Sequence, residues 1–207
     1  MYEGIIFDLD GVIRHWGDAH LRAAEARYGV ARDLILRATF GCPAFREALV
    51  GRMPAEEWHA HARRTLSEMV GREVGGAVDD FIAFPGSLDE AMVALVDRLR
   101  ATLRVGLLSN GTTALEMQIQ LHDLTPHFDA IVNTARIGVA KPEPAAYQIA
   151  AERLGVAPAA CIFVDDTAVN VEGARVAGLA AIHYTGLQPL VEELRRLNVD
   201  VEAPSGV

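Results

Sequence analysis

The stretch that decides the fold is Ile5-Ile6-Phe7-Asp8-Leu9-Asp10-Gly11. Its three apolar residues read as a buried strand, and that strand ends in two carboxylates with one leucine between them. Side chains two apart on a strand point the same way. Two like charges about 4 Å apart repel by roughly 4 kcal/mol at an effective dielectric near 20. A fold tolerates such a pair beside a cation, a shared proton or open solvent. A polar strand end turning into a loop at Gly11 accounts for it equally well on these residues alone.

Working outward, four more apolar runs have the same character: Arg104-Val-Gly-Leu-Leu-Ser-Asn110, Asp129-Ala-Ile-Val-Asn-Thr134, Cys161-Ile-Phe-Val-Asp-Asp166 and Ala180-Ala-Ile-His-Tyr-Thr185. Continuous apolar runs of this length suit strands covered on both faces. Helical patterns lie between them, over 86–100, 112–124, 142–155 and 167–178. In the first, Ser87 and Glu90 have the spacing of a capping box, and Leu88, Met92, Leu95, Val96 and Leu99 recur at helical period. The third starts after Pro142 and closes at Gly155, as helices prefer. Strand and helix in alternation predict an α/β fold with a parallel sheet.

One segment breaks the alternation. From His15 to Phe84 the pattern is helical with no strand, so a small helical module is expected after the first strand. Asp18 is the expected N-cap of a helix ending near Tyr28-Gly29. Pro54, Glu56 and Glu57 suit the first turn of a second helix. The expected organisation is a core of residues 1–14 and 85–207 with a helical insertion over 15–84. The last residues, from Val201 on, are expected to fray.

The 207 residues are 51% hydrophobic and 23% charged, with a formal net charge of -9. That balance suits a globular domain and argues against a nucleic-acid or membrane-surface binder, which needs a basic face. No apolar run approaches the roughly 20 residues of a membrane span. Cys42 and Cys161 are far apart without zinc-like spacing, and Cys161 is expected as a small buried thiol. A cytoplasmic location is expected.

In open α/β sheets, ligands bind outside the carboxyl ends of the strands. Asp8 and Asp10, Ser109 and Asn110, and Asp165 and Asp166 all end strands, and Lys141 precedes a helix. Four carboxylates in one crevice would hold a hard cation, and Mg²⁺ prefers a few carboxylates plus waters and substrate phosphate. A Ser hydroxyl and backbone N–H groups at a helix start can hold phosphate oxygens. With phosphate in line, one aspartate can attack phosphorus while a second handles the proton.

The motifs Phe7-Asp-Leu-Asp-Gly11, Leu107-Leu-Ser-Asn-Gly-Thr112, Ala140-Lys-Pro-Glu-Pro144 and Phe163-Val-Asp-Asp-Thr-Ala-Val-Asn-Val-Glu-Gly-Ala174, in that order, resemble those of the haloacid dehalogenase (HAD) superfamily, phosphatase branch. The resemblance runs from Ile5 to about Thr185. It implies a Rossmann-like doubly wound parallel sheet with a helical cap. It further implies Asp8 as nucleophile and Asp10 as general acid/base with its backbone carbonyl on the metal. Ser109 and Asn110 would bind phosphate, and Lys141 would orient Asp8. Asp8, Asp166 and, directly or through water, Asp165 would complete the Mg²⁺ site. Asn170 stands where some relatives are acidic and is expected to order its loop.

The dehalogenases of the superfamily, by resemblance, lack an acidic residue two positions after the nucleophile and need no metal, so Asp10 favours the phosphatases. Among those, the short cap resembles sugar-1-phosphate phosphatases and the phosphatase domain of soluble epoxide hydrolases. The expected substrate is a small phosphorylated metabolite, and the protein a monomer or homodimer. A phosphomutase, a 2-haloacid dehalogenase and a silent metabolite-binding protein are the alternatives. A phospho-accepting receiver is disfavoured because Asp165 and Asp166 follow Lys141, whereas receivers place the acidic pair first.

Arg14, His15 and Trp16 enter the helical segment at the expected pocket mouth. Either they contact substrate, or Trp16 anchors the cap core and Arg14 is a solvated charge. His59 and His61, two apart on a helix, are expected on the surface. Phe40, Phe45 and Trp58 are expected to pack in the cap core. Arg46, Arg52, Arg63 and Arg64 are expected to form a solvated face.

Overall fold

Glycine and three large apolar residues, Gly4–Phe7, form β1, every residue of it buried. In the computed structural model, which describes residues 1–201, β1 lies at the centre of a five-stranded parallel sheet. A two-residue strand follows, β2 (Arg14–His15), and then five helices: α1 (Asp18–Tyr28), α2 (Leu34–Phe40), α3 (Pro43–Leu49), α4 (Ala55–Val70) and α5 (Gly76–Ile82). The chain returns through β3 (Ser87–Leu88), α6 (Glu90–Leu99), β4 (Arg104–Ser109), α7 (Leu115–Leu121) and β5 (Ala130–Asn133). It ends with α8 (Thr134–Ile137), α9 (Pro144–Leu154), β6 (Cys161–Asp165), α10 (Ala168–Val176), β7 (Ala180–His183) and α11 (Leu187–Arg196).

The strand order is β5-β4-β1-β6-β7. The expected doubly wound parallel sheet is present, and each apolar run supplies one strand. Alternate residues of β1 feed opposite faces. Ile5 and Phe7 join Leu107, Ile162 and Val164 under side chains of α6, α7 and α11. Ile6 joins Leu108, Val132 and Phe163 under α9 and α10. The chain winds outward from β1 through β4 to β5, then crosses back to β6 and β7. The crevice at such a reversal lies over the carboxyl ends of β1, β4 and β6.

The helices α1–α5 have an apolar cluster of their own, with Leu21, Ile35, Leu66, Val78 and Phe81 at its centre. Two strands of chain connect this segment to the sheet. They pair as a short antiparallel ribbon, Arg14 opposite Leu88 and His15 opposite Ser87. His15 therefore lies in a strand, inside the span expected to be helical.

Local capping departs from expectation twice. Ser87 is drawn into the ribbon, so α6 is capped by Asp89, whose Oδ1 accepts from the N–H groups of Ala91 (3.0 Å) and Met92 (3.1 Å). Gly17 takes the N-cap position of α1, leaving Asp18 in its first turn. The Pro54-led start of α4 and the Gly29 and Gly155 ends of α1 and α9 agree with the sequence. Val201, expected to fray, is buried in the main core, and 202–207 lie outside the described residues. Cys161 is buried and unbridged, and burial pushes its thiol up to about 12. Among the described residues no helix is long and apolar enough to cross a membrane.

Candidate active site

The peptide N–H of Asp8 donates to Val164 O at 2.8 Å, so the register of β1 on β6 fixes where its carboxylate leaves the sheet. Asp8 Oδ1 accepts from the N–H of Leu9 at 2.7 Å and meets Lys141 Nζ at 2.8 Å. Lys141 Nζ also donates to Asp165 Oδ2 at 2.7 Å. All three groups are buried, so one ammonium bridges two carboxylates out of water. Burial pushes the Asp8 carboxyl up to about 7, with Asp165 adding to the rise and Lys141 opposing it. Burial pulls the other way on Lys141, but the two carboxylates outweigh it and hold the ammonium above its ordinary value.

Asp165 has no free capacity. Besides Lys141, Oδ1 accepts from the Thr167 N–H at 2.8 Å, and the Asn170 amide donates to both oxygens at 3.2 and 3.1 Å. This gives Asn170 a role in ordering its loop. Asp166 is exposed, and its carboxylate lies against Gly11. A Cβ on Gly11 would come within 2.0 Å of Asp166 Oδ2, at a backbone φ of 87° that glycine tolerates. Oxygens of Asp8, Asp165 and Asp166 lie within 4.8 Å of one another. Hard carboxylate oxygens so grouped, beside a space that only glycine leaves open, fit an ion of the Mg²⁺ class.

Asp10 does not join that group. Arg14 grips it as a fork, Nε to Oδ1 at 2.7 Å and Nη2 to Oδ2 at 3.0 Å, and Trp16 Nε1 donates to Oδ1 at 2.7 Å. Arg14 is only 2% exposed, whereas the Asp10 side chain is 41% exposed. The solvated-charge reading of Arg14 is therefore corrected. Its other arm reaches Gln118 Oε1 at 3.1 Å, and its guanidinium lies over the Trp16 ring. That burial was invisible in sequence because Gln118 is 104 residues away; the four-residue spacing from Asp10 was the available signal.

Ser109 is buried at the end of β4. The Asn110 side chain both donates to Lys141 O (3.0 Å) and accepts from Lys141 N–H (2.9 Å). Its amide thus holds the Lys141 peptide in place.

A cavity of about 410 Å³ adjoins Asp10, Arg14 and Asn110 and runs under α1, α2, α4 and α5. Phe40, Phe45 and Trp58 line it, so their expected role is only part of the picture. Trp58 does pack, with Ala44 and Ala48, and its indole donates to Thr39 O at 2.8 Å, but Phe40 is 43% exposed. His59 is half-buried on the cavity wall rather than on the surface; His61 is exposed. Arg46, Arg52 and Arg64 are exposed, and Arg63 pairs with Asp79 at the surface.

Comparison with known proteins identifies the family. The family model for haloacid dehalogenase-like hydrolases matches residues 2–178. A phosphatase of Mycobacterium tuberculosis is 41% identical over 86% of this chain and 84% of its own. The fructose-1-phosphate phosphatase YqaB of Escherichia coli is 28% identical over 87% of this chain and 95% of its own. Among solved structures, a HAD family enzyme from Bacteroides thetaiotaomicron, in complex with magnesium and inorganic phosphate, superposes with a TM-score of 0.69 at 19% identity. It covers 88% of this chain and 93% of its own. The chain belongs to the haloacid dehalogenase-like hydrolase family.

Proposed function

We propose that the protein is a Mg²⁺-dependent phosphomonoesterase acting on a small phosphorylated molecule through an aspartyl-phosphate at Asp8. The observation that carries this reading is the buried Lys141 ammonium bridging Asp8 and Asp165, with the exposed Asp166 beside them. Such a group serves a charged ligand at the strand ends better than it serves stability, since burying charges is costly. The relatives named as phosphatases support it.

Asp8 and Asp166 would hold Mg²⁺, with the Asp10 carbonyl as a further ligand and Asp165 supporting through its fixed network. When bound, the ion supplies positive charge to the phosphoryl oxygens. The Ser109 hydroxyl and the Asn110 backbone N–H would hold the phosphoryl group in line with Asp8. An Asp8 oxygen attacks phosphorus, and the bond to the leaving oxygen breaks as Asp10 delivers its proton there. Water then attacks the aspartyl-phosphate and gives its proton to Asp10, releasing phosphate and restoring the Asp8 carboxylate. Both Asp10 oxygens accept from Arg14, so the oxygen that carries the proton would direct its O–H away from Arg14, toward the leaving oxygen. Helices α1–α5 act as a cap that excludes water over the cavity.

The test is phosphate release from an aryl phosphate with and without Mg²⁺, in wild type and Asp8→Asn. Metal-dependent release that disappears in Asp8→Asn is expected. Release that survives the substitution, or that ignores the metal, overturns the proposal.

A further inference from the structure

The cavity beside Asp10 is walled by aromatic rings to an extent that phosphate chemistry does not require. Phe40 and Phe45 have ring centroids 5.0 Å apart, Phe45 and Trp58 5.1 Å, Phe40 and Phe81 6.0 Å, and Phe81 and Trp16 6.3 Å. These five rings, brought from the β2 exit and from α2, α3, α4 and α5, make one continuous surface facing the cavity. Rings in unbroken contact normally close a core. Here Trp58 and Phe81 are buried, but Trp16 and Phe45 are half-buried and Phe40 keeps 43% of its area exposed, all bordering a ligand-sized space. An apolar face left open beside a reactive carboxylate is a binding face.

The polar groups nearest Asp10 are largely occupied, while Asp18 and His59 also line the cavity. Asp10 takes three hydrogen bonds from Arg14 and Trp16, and Gln118 Oε1 accepts from Arg14. The Asn110 amide is spent on the Lys141 peptide, and Thr112 Oγ1 accepts from the Ala114 N–H at 3.4 Å. Hydroxyl groups of a sugar or polyol laid against the five rings would exchange water for carbon, and a buried hydroxyl without a partner weakens binding. An apolar group gains from the same move.

We infer that the phosphomonoester accepted here carries an apolar alcohol bearing one or two rings, selected by the wall of Trp16, Phe40, Phe45, Trp58 and Phe81. The inference rests on the phosphatase reading and narrows its substrate class. The phosphoryl end sits over Asp8, and the ring system fills the 410 Å³ beneath α2 and α4, a volume in the range of small-molecule pockets.

The experiment compares 2-(2-naphthyl)ethyl phosphate with a hexose 6-phosphate, both esters of primary alcohols, so that binding rather than leaving-group reactivity sets the difference. The arylalkyl ester is expected to have a kcat/KM at least 50-fold higher. In Phe40→Ser, at an exposed position where folding is spared, the ratio falls at least fivefold. Turnover of both esters at similar kcat/KM, or preference for the hexose ester, overturns the inference and leaves the phosphatase reading standing. Should neither ester turn over, the aryl phosphate assay alone judges the phosphatase reading, and calorimetric titration decides the pocket separately. Methylene phosphonates of the same two alcohols are the probes. Binding of the arylalkyl phosphonate at least tenfold tighter upholds the ring wall; equal binding, or none, overturns it.

Discussion

Lys141 is the group on which the site's stability turns, and Lys141→Met isolates it. Methionine keeps the length and apolar stem but leaves Asp8 and Asp165 facing each other, with side chains 10% and 0% exposed. At the 4.8 Å limit of their separation, two unit charges repel by about 3.5 kcal/mol at an effective dielectric of 20. Removing one partner of a buried pair costs about 3–5 kcal/mol, and here one cation serves two carboxylates. The loss cannot grow without bound, because Asp8, already up at about 7, can take a proton. An acid whose folded pKa exceeds its unfolded value contributes stability at low pH that is lost as pH rises through the folded value. The deficit is therefore larger at pH 8 than at pH 6. Urea unfolding in EDTA at both pH values is the assay, with an expected loss of about 3–5 kcal/mol at pH 8. Adding Asp8→Asn to Lys141→Met should restore at least about 1 kcal/mol, as a coupled pair does. A single-variant loss below about 1 kcal/mol at pH 8, or no recovery in the double variant, refutes the bridging argument.

The Arg14–Asp10 pair predicts an asymmetry: Asp10→Ala strands a cation that is 2% exposed, whereas Arg14→Leu strands a carboxylate that is 41% exposed and can be hydrated. By urea unfolding, Asp10→Ala is expected to lose about 3 kcal/mol and Arg14→Leu at least about 1 kcal/mol less; the reverse order contradicts the assignment. Asp129 is a structural counterpart. Burial tends to raise its pKa, but the Val105 N–H at 2.8 Å and Arg100 at 2.9 Å outweigh it and hold the carboxyl below its ordinary value. Asp129→Asn is expected to lose about 1–2 kcal/mol at pH 7 in the same assay. Because the folded pKa is depressed, that contribution exists above the unfolded value, and the difference from wild type fades as pH falls through the carboxylate range.

The five sheet strands were legible because a strand buried on both faces needs an uninterrupted apolar run, and few other structures do. Asp8, Ser109 and Asp165 were legible for a related reason: the polar residue that ends such a run lies at the sheet's carboxyl edge. Local competition set the limit at the helix starts. Ser87 and Asp89 can both cap α6, and the choice fell to Asp89 because Ser87 pairs with His15, 72 residues earlier. The direction of the Asp10 side chain was beyond reach for the same reason, since it depends on Arg14, whose burial depends on Gln118.

The character of the cavity has a subtler trace in the sequence. A helix of an ordinary globular core needs one apolar stripe. In α2, Ile35 and Ala38 supply it and pack in the cap cluster, yet Leu36 and Phe40 add apolar surface toward the cavity. In α4, Ala62 and Leu66 serve that cluster, while Trp58 and His59, one turn nearer the N-terminus, turn toward the cavity. The surplus over what the cap core needs is carried by rings and lies at the helix ends nearest Asp10. Periodicity measures how much of a helix is apolar and on which faces, but a second apolar face reads identically whether it meets another helix or a ligand. Only the tertiary arrangement, which sets Phe40 against Phe45, Trp58 and Phe81 yet leaves it 43% exposed at the cavity, shows that this surplus borders open space rather than another helix.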